Sequence, residues 1–353
     1  MTNKIKVLSL FDGISGARQA LKELNIGCDY YASEIDKYAM KVSSHNHPDI
    51  KHIGDIKELD NWNLVLNNLG GITNGKRNQV DLLIGGFPCQ SYSTAGNRKG
   101  IEDERGQLIY DVFRALKECK PKYFLLENVK GLLSIDKGET FKNILKELSN
   151  CGYAVSWKVI NSTLVTAQNR QRVYIMGSLK DKIEIEDPKD KEIYLKDIVE
   201  DCNNDQVIPT QLGNSKKWGN AISYSGKAYT LRATQPNGIV KLGSYAISQR
   251  GRNIVDGKRK DIKGSKTEQR FETSYSKKSN TLTTVQKDSM LLDNSIIRKL
   301  TVKECCRLQG LPDDYFVNKD GEKIVSNTQS YKGLGNGFTV PVIKHILQHF
   351  NLN

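Results

Sequence analysis

KIKVLSLFDGISGARQAL, residues 4–21, reads as a buried apolar strand, a loop carrying Gly13 and Gly16, and the start of a helix. A strand that passes straight into a helix through a glycine-bearing turn is the opening unit of a doubly wound α/β sheet. The alternation continues up to Lys180. CDYYASE (28–34), VDLLIGG (80–86), KYFLLENV (122–129), YAVSWKVIN (153–161) and RVYIMGS (172–178) have strand character. KYAMKVSSHN (37–46), QLIYDVFRALKE (107–118) and GETFKNILKELSN (138–150) have helical character. Strands separated by helices predict a parallel sheet whose ligands sit at the carboxyl ends of the strands.

After Lys180 the pattern breaks down. SLKDKIEIEDPKDKEIYLKDIVEDCNNDQ, residues 178–206, is densely charged and marks a boundary. Residues 211–290 are rich in Gly, Ser, Thr, Lys and Arg, with 16 Lys or Arg against 5 Asp or Glu, so this one segment carries most of the chain's net charge of +13. A polyanion is a natural partner for such a segment, and a solvated basic loop region is the competing explanation. Two short pieces echo each other there, AYTLRATQ (228–235) and SNTLTTVQ (279–286), too few copies for a repeat fold. LTVKECCRLQGL (300–311) is an amphipathic helix stopped by Gly310 before Pro312, and TVPVIKHILQHF (339–350) is a second helix after the glycine-rich KGLGNG (332–337).

The 353 residues suffice for a large core and two domains. The chain has no long apolar run and no signal-peptide pattern at its start, so a soluble, cytoplasmic protein is expected. The seven cysteines, Cys28, Cys89, Cys119, Cys151, Cys202, Cys305 and Cys306, are odd in number and form no CxxC pair, which argues against a disulfide framework or a zinc site. GGITNGKR (70–77) fails as a phosphate loop because Arg77 replaces the required Ser or Thr. HNH (45–47) lacks a nuclease context, and His345 and His349 lack the glutamate of a zinc-protease helix, so no metal is expected.

Four constellations carry chemistry. The glycine loop lets backbone approach a cofactor, and Glu34, some 20 positions on at a strand end, suits a ribose diol; together they point to an adenosine-containing cofactor. Asp55 is placed to reach an adenine amino group, or is an ordinary turn aspartate. Cys89 follows GGFP at a strand end and is either a core thiol or a nucleophile that needs activation, ahead of a polar loop able to close over a substrate. Glu127 lies at the end of the next strand, where a carboxyl group either exchanges a proton with substrate or is a solvent-facing strand-end acid. Arg170 and Arg172 alternate, so in an extended segment both face one side and can grip a phosphate or the oxygen of a base, or else belong to a plain surface strand.

Taken in order, LFDGISG, GGFPCQSYS, ENV, QNRQRVYIM, RKLTVKECCRLQGLPDDY and GLGNGFTVPVI resemble the motifs of the cytosine-C5 DNA methyltransferase family over nearly the whole chain. Two departures stand out: Ser15 takes the place of a usual glycine, and Gly337 follows Asn336 where a serine is common. The resemblance implies a Rossmann-like methyltransferase sheet with a second, smaller, irregular β-rich target-recognition domain. It places the catalytic and cofactor domain at 1–190, completed by 332–353. The recognition domain falls at 191–331, with the basic region 211–290 and a hinge helix at 300–311. It implies S-adenosylmethionine as cofactor, S-adenosylhomocysteine as product, double-stranded DNA as partner, and a monomer in a bacterial or phage setting.

The resemblance also assigns residues. Cys89 is the nucleophile, Glu127 engages N3 and the amino group of a flipped cytosine, Arg172 meets its O2, and Arg170 supports the site. Phe11, Asp12, Gly13, Gly16, Glu34, Ile35, Asp55, Ile56, Pro88, Leu108 and Asn336 surround the cofactor. An RNA cytosine-C5 methyltransferase and a non-catalytic DNA-binding regulator remain as alternatives on the same fold.

Overall fold

The computed structural model describes residues 4–58, 80–87, 108–200, 278–279, 281–282 and 299–352, together with the backbone of short strands between 72 and 77 and between 208 and 298. Pro88, Cys89 and the loop after them, and the first echoing piece at 228–235, lie outside the described residues.

The first sheet has seven strands. In chain order they are β1 (Ile5–Leu10), β2 (Cys28–Ser33), β3 (Lys51–Gly54), β4 (Leu82–Gly85), β5 (Tyr123–Val129), β6 (Ala154–Asn161) and β7 (Gln171–Ser178). They lie side by side as β3-β2-β1-β4-β5-β7-β6. Helices α1 (Gly16–Glu23), α2 (Lys37–Asn46), α3 (Leu108–Cys119) and α4 (Glu139–Asn150) alternate with them, as the sequence predicts. One strand departs from the expected parallel order: β7 runs antiparallel to both β5 and β6. The link from β6 to β7 is only residues 162–170 and holds no more than a short 3-10 turn, Ser162–Leu164. A parallel return needs a crossover of a dozen or more residues, so this chain can only come back antiparallel.

Successive strand residues feed two apolar layers. Val7, Tyr30, Leu82, Ile84, Leu125 and Met176 join Ala17, Ala20 and Leu21 of α1 on one face. Leu8, Leu10, Leu83, Leu126, Val173 and Ile175 join Val112, Leu116, Ile144 and Leu148 of α3 and α4 on the other. Each fully buried Val, Leu, Ile or Met among them contributes about 1.5–3 kcal/mol. Five of the seven cysteines, Cys28, Cys119, Cys151, Cys305 and Cys306, are free and buried in these layers. Burial pushes the Cys28 thiol up to about 11, which keeps it protonated and inert.

A second, wholly antiparallel sheet follows, formed by β8 (Ile208–Pro209), β9 (Tyr245–Arg252), β10 (Glu268–Ser274), β11 (Met290–Asp293) and β12 (Ile296–Lys299) in the order β8-β12-β11-β9-β10. Three helices complete the chain: α5 (Val302–Gln309), α6 (Asn327–Asn336) and α7 (Val340–Leu347). Helix α5 begins in a reciprocal capping box, Thr301 with Glu304, and ends at Gly310 with φ 72°. A side chain at Gly310 would stand 2.3 Å from Pro341 Cδ, so glycine is required there twice over. Helix α6 was not apparent in KGLGNG, whose glycines read as a loop. Gly333 is a packing residue within it: an added Cβ would come within 2.8 Å of Ile14 Cγ2. Among the described residues no helix is long and apolar enough to cross a membrane.

Candidate active site

One cavity of about 590 Å³ opens at the carboxyl edge of the first sheet, a volume suited to a small-molecule ligand. It brings together Phe11, Asp12, Gly13, Glu34, Ile35, Asp55, Ile56, Leu108, Asn336, Glu127, Arg170 and Arg172. Of the expected cofactor residues, Gly16 stands behind the wall: its Cα packs where a Cβ would be 3.3 Å from Phe338 Cβ. Pro88 and Cys89 lie outside the described residues, and β4 delivers the chain to this edge as far as Phe87.

The glycine loop is wound tightly. Phe11, Gly13 and Ser15 all take positive φ, 55°, 59° and 62°. Ser15 thus takes a left-handed backbone, the region that favours glycine. Its hydroxyl donates to the Asp12 carboxylate and lies 2.8 Å from Ser43 Oγ. Asp12 also accepts from Ser9 Oγ at 2.6 Å and Tyr30 OH at 2.7 Å. Burial raises the Asp12 carboxyl above its ordinary range, while the hydroxyls of Ser15, Ser9 and Tyr30 pull the other way. Asp12 is thus an internal brace of the loop.

Among the described residues, Glu34 is held by three backbone N–H groups. Gly13 N–H donates to Oε2 at 2.7 Å, and the Ile35 and Asp36 N–H groups donate to Oε1 at 2.8 Å each. A carboxylate offers about four lone-pair sites, so three backbone donors fix it and still leave acceptor capacity for a diol. Ile35 beside it is 72% exposed, a large apolar side chain left open on the cavity wall. Asp55 turns one oxygen back to Lys57 N at 3.0 Å, and Ile56 is buried, its carbonyl accepting from Arg114 at 2.8 Å. These features fit an adenosine group: a fixed acceptor for the ribose, an uncovered aliphatic face for the base, and backbone open to close approach.

The acid and the arginines meet across the β5–β7 ladder. Glu127 pairs in register with Tyr174, and Val129 with Arg172, which puts Glu127 and Arg172 on one face, diagonally opposed. Arg172 Nε lies 3.0 Å from Glu127 Oε1, and Arg170 Nη2 lies 3.9 Å from the same oxygen. Glu127 and Arg172 keep 12% and 13% of their side chains exposed toward the cavity, whereas Arg170 keeps 2%. Arg170 is the buried member: desolvation, helped by the charge on Arg172 and opposed by Glu127, lowers it to about 10, so it stays a cation at neutral pH.

Sequence reading gave no role to Asn128, which is buried behind Glu127. Its amide donates to Phe87 O at 3.1 Å and its oxygen accepts from Val129 N at 2.8 Å. It ties the end of β5 to the chain just ahead of Pro88. The signal available was adjacency, one residue beyond an acid at a strand end. Gly86 shows how closely the pieces converge: a Cβ there would lie 3.1 Å from Phe338 Cε1 and 3.6 Å from Glu127 Oε2.

The family description "C-5 cytosine-specific DNA methylase" matches residues 5–351. The chain is 32% identical over 356 residues to type II methyltransferase M1.ScrFI of Lactococcus lactis subsp. cremoris, covering 98% of this chain and 78% of that protein. It is 31% identical over 358 residues to type II methyltransferase M.HpaII of Haemophilus parainfluenzae, covering 98% and 88%. Among solved structures, the Entamoeba histolytica methyltransferase EhMeth superposes with a TM-score of 0.65 at 18% identity, over 99% of this chain and 98% of that one. A putative DNA modification methyltransferase from an E. coli prophage gives 0.62 at 21%, over 98% of both. At such identities the structural likeness speaks for the fold.

Proposed function

Since the chain belongs to the C-5 cytosine-specific DNA methylase family and is a DNA cytosine-C5 methyltransferase, we propose that it acts on a cytosine turned out of the duplex, through a covalent bond from Cys89 to C6. The observation that carries this reading is the shared cavity, in which the Glu127–Arg172 pair opens into the same space as the Glu34 acceptor.

In the proposed reaction, the Cys89 thiolate adds to C6 and electron density moves toward C5. Glu127 engages N3 and the exocyclic amino group, relieving the charge that develops there, while Arg172 donates to O2. The 3.0 Å contact of Arg172 with Glu127 keeps the carboxylate turned toward the ring. S-adenosylmethionine, when bound, supplies the methyl group as a sulfonium electrophile. Glu34 would hold its ribose, with Phe11, Ile35, Asp55, Ile56, Leu108 and Asn336 around the adenosine and Asp12, Gly13 and Gly16 shaping the loop beneath it. Loss of the C5 proton and departure of Cys89 then restore the ring. A stacked base cannot present C6 to a thiol inside a cavity, which is why the target is taken out of the helix. The basic segment 211–290 is the proposed recognition region: phosphate contacts would position it and groove contacts would choose the site.

The test is transfer of labelled methyl from S-adenosylmethionine to duplex DNA or to tRNA, with covalent trapping on 5-fluorocytosine DNA. Label in DNA, trapping by the wild type and loss of both in Cys89→Ser are expected. Label in tRNA alone, or trapping that survives the substitution, would overturn the reading.

A further inference from the structure

Arg170 ties the start of β7 to two distant stretches of chain through three carbonyls. Nη1 donates to Gly335 O at 3.1 Å and Leu282 O at 3.4 Å, and Nη2 donates to Gly337 O at 3.0 Å. Two of these carbonyls flank Asn336 at the end of α6, on the cavity wall. The third belongs to SNTLTTVQ, the echoing piece of the basic region.

That piece is stitched to the turn before Arg170. Ser279 forms a parallel bridge with Gln168; Ser279 N donates to Ala167 O and Asn169 N to Ser279 O, both at 2.7 Å. Thr281 Oγ1 donates to Asn169 O at 2.7 Å, and Lys278 Nζ reaches Thr163 O at 2.6 Å and Ile193 O at 2.7 Å. Neither Ser279 nor Leu282 lines the cavity.

We propose that Arg170 is a positioning residue that couples the recognition segment to the cofactor pocket, by holding the end of α6 and Leu282 with one rigid guanidinium. The proposal rests on the cofactor reading above. The planar fork fixes the angle between its acceptors, so a shift of the α6 terminus when adenosine settles against Asn336 is transmitted to Leu282. The C-terminal end of a helix also favours a cation, which seats Arg170 firmly on α6. The junction has unused hydrogen-bonding capacity: Arg170 Nε and both amide atoms of Gln168 are buried without a hydrogen-bond partner among the described residues. Through the 3.9 Å contact with Glu127, the same cation links both events to the acid.

Hydrogen exchange on the wild-type protein with S-adenosylhomocysteine tests the link directly, with calorimetry to measure binding. The amides of Ser279 and Asn169 are expected to slow when the ligand binds. Bound ligand without that protection would overturn the proposal; absence of binding would overturn the cofactor reading and the proposal with it. In a second measurement, S-adenosylhomocysteine and a duplex taken from a site the protein methylates are titrated separately and together. Each is expected to tighten the other by at least about fivefold, and by the same factor in either order. In Arg170→Lys, which keeps the charge but not the fork, that factor should fall to near one. A merely structural residue would lower melting temperature and both affinities yet leave the factor intact, and that result would refute the coupling. If Arg170→Lys fails to fold, the exchange experiment still decides.

Discussion

Ser15 shows what a single residue contributes at this site. A left-handed backbone costs a non-glycine residue about 1–2 kcal/mol, yet Ser15 holds φ 62° because its hydroxyl completes the cluster around buried Asp12. Glu127 is the residue whose chemistry is most directly testable. Glu127→Gln keeps shape and removes the exchangeable proton, so methyl transfer should fall by about 10²–10⁴-fold, while DNA binding measured by gel shift persists. Equal losses of binding and turnover would mean that Glu127 holds the fold or the DNA and does not assist the reaction. Glu34, Glu127 and Arg172 were legible in the sequence because each lies within two residues of a strand end, and a strand end in an α/β sheet has a known place. Asn128 was not legible: its partner, Phe87 O, lies 41 residues away and is a backbone atom that any residue would supply.

Elements were legible where their period was regular. The helices from α1 to α4 follow apolar spacing, β4 is a continuous apolar run, and β1 and β5 are apolar apart from Lys6 and Ser9 and from Glu127 and Asn128. The reversal of β7 was not read from its composition, since a strand carries no mark of direction; the shortness of the 162–170 link sets it. Helix α6 was hidden by its glycines, whose value lies in contact with another part of the chain. Substituting Gly333→Ala should therefore act against helix propensity. Alanine favours a helix by about 1 kcal/mol, but the new methyl would press on Ile14 Cγ2 in the cofactor loop. Overpacking of this kind costs about 1–3 kcal/mol. Calorimetry should find weaker S-adenosylhomocysteine binding, partly restored by adding Ile14→Ala. Unchanged affinity would mean that α6 and the loop move independently.

Over the whole molecule, the N-terminal sheet and the C-terminal helices are joined by polar contacts as well as by apolar packing. Tyr315 OH donates to Ile14 O at 2.7 Å and lies 3.2 Å from His47 Nε2, while Asn46 donates to Tyr315 O at 2.8 Å. Burial, reinforced by the charges of Arg18 and Lys22, holds His47 down to about 4. An unfolded histidine takes up its proton near 6.5, so the stability His47 contributes is complete above 6.5 and is lost as pH falls toward 4. The full shift corresponds to about 3 kcal/mol. Urea unfolding at pH 7 and pH 4.5 should show most of that loss, and His47→Gln should flatten it; an equally steep fall in the variant would assign the effect elsewhere. The basic segment sets a second global property. DNA affinity should drop steeply as salt rises, because phosphate contacts release counterions, and a flat response would remove 211–290 from the DNA face.

The cavity also has an order of assembly in time. Its first wall comes from Phe11 to Ile14 in the loop after β1, and its last from Gly333, Asn336 and Phe338. At about 5–20 residues per second, a ribosome makes the first wall well before the last. The cavity is therefore complete only once Phe338 has joined it, long after the residues of the first sheet have been made.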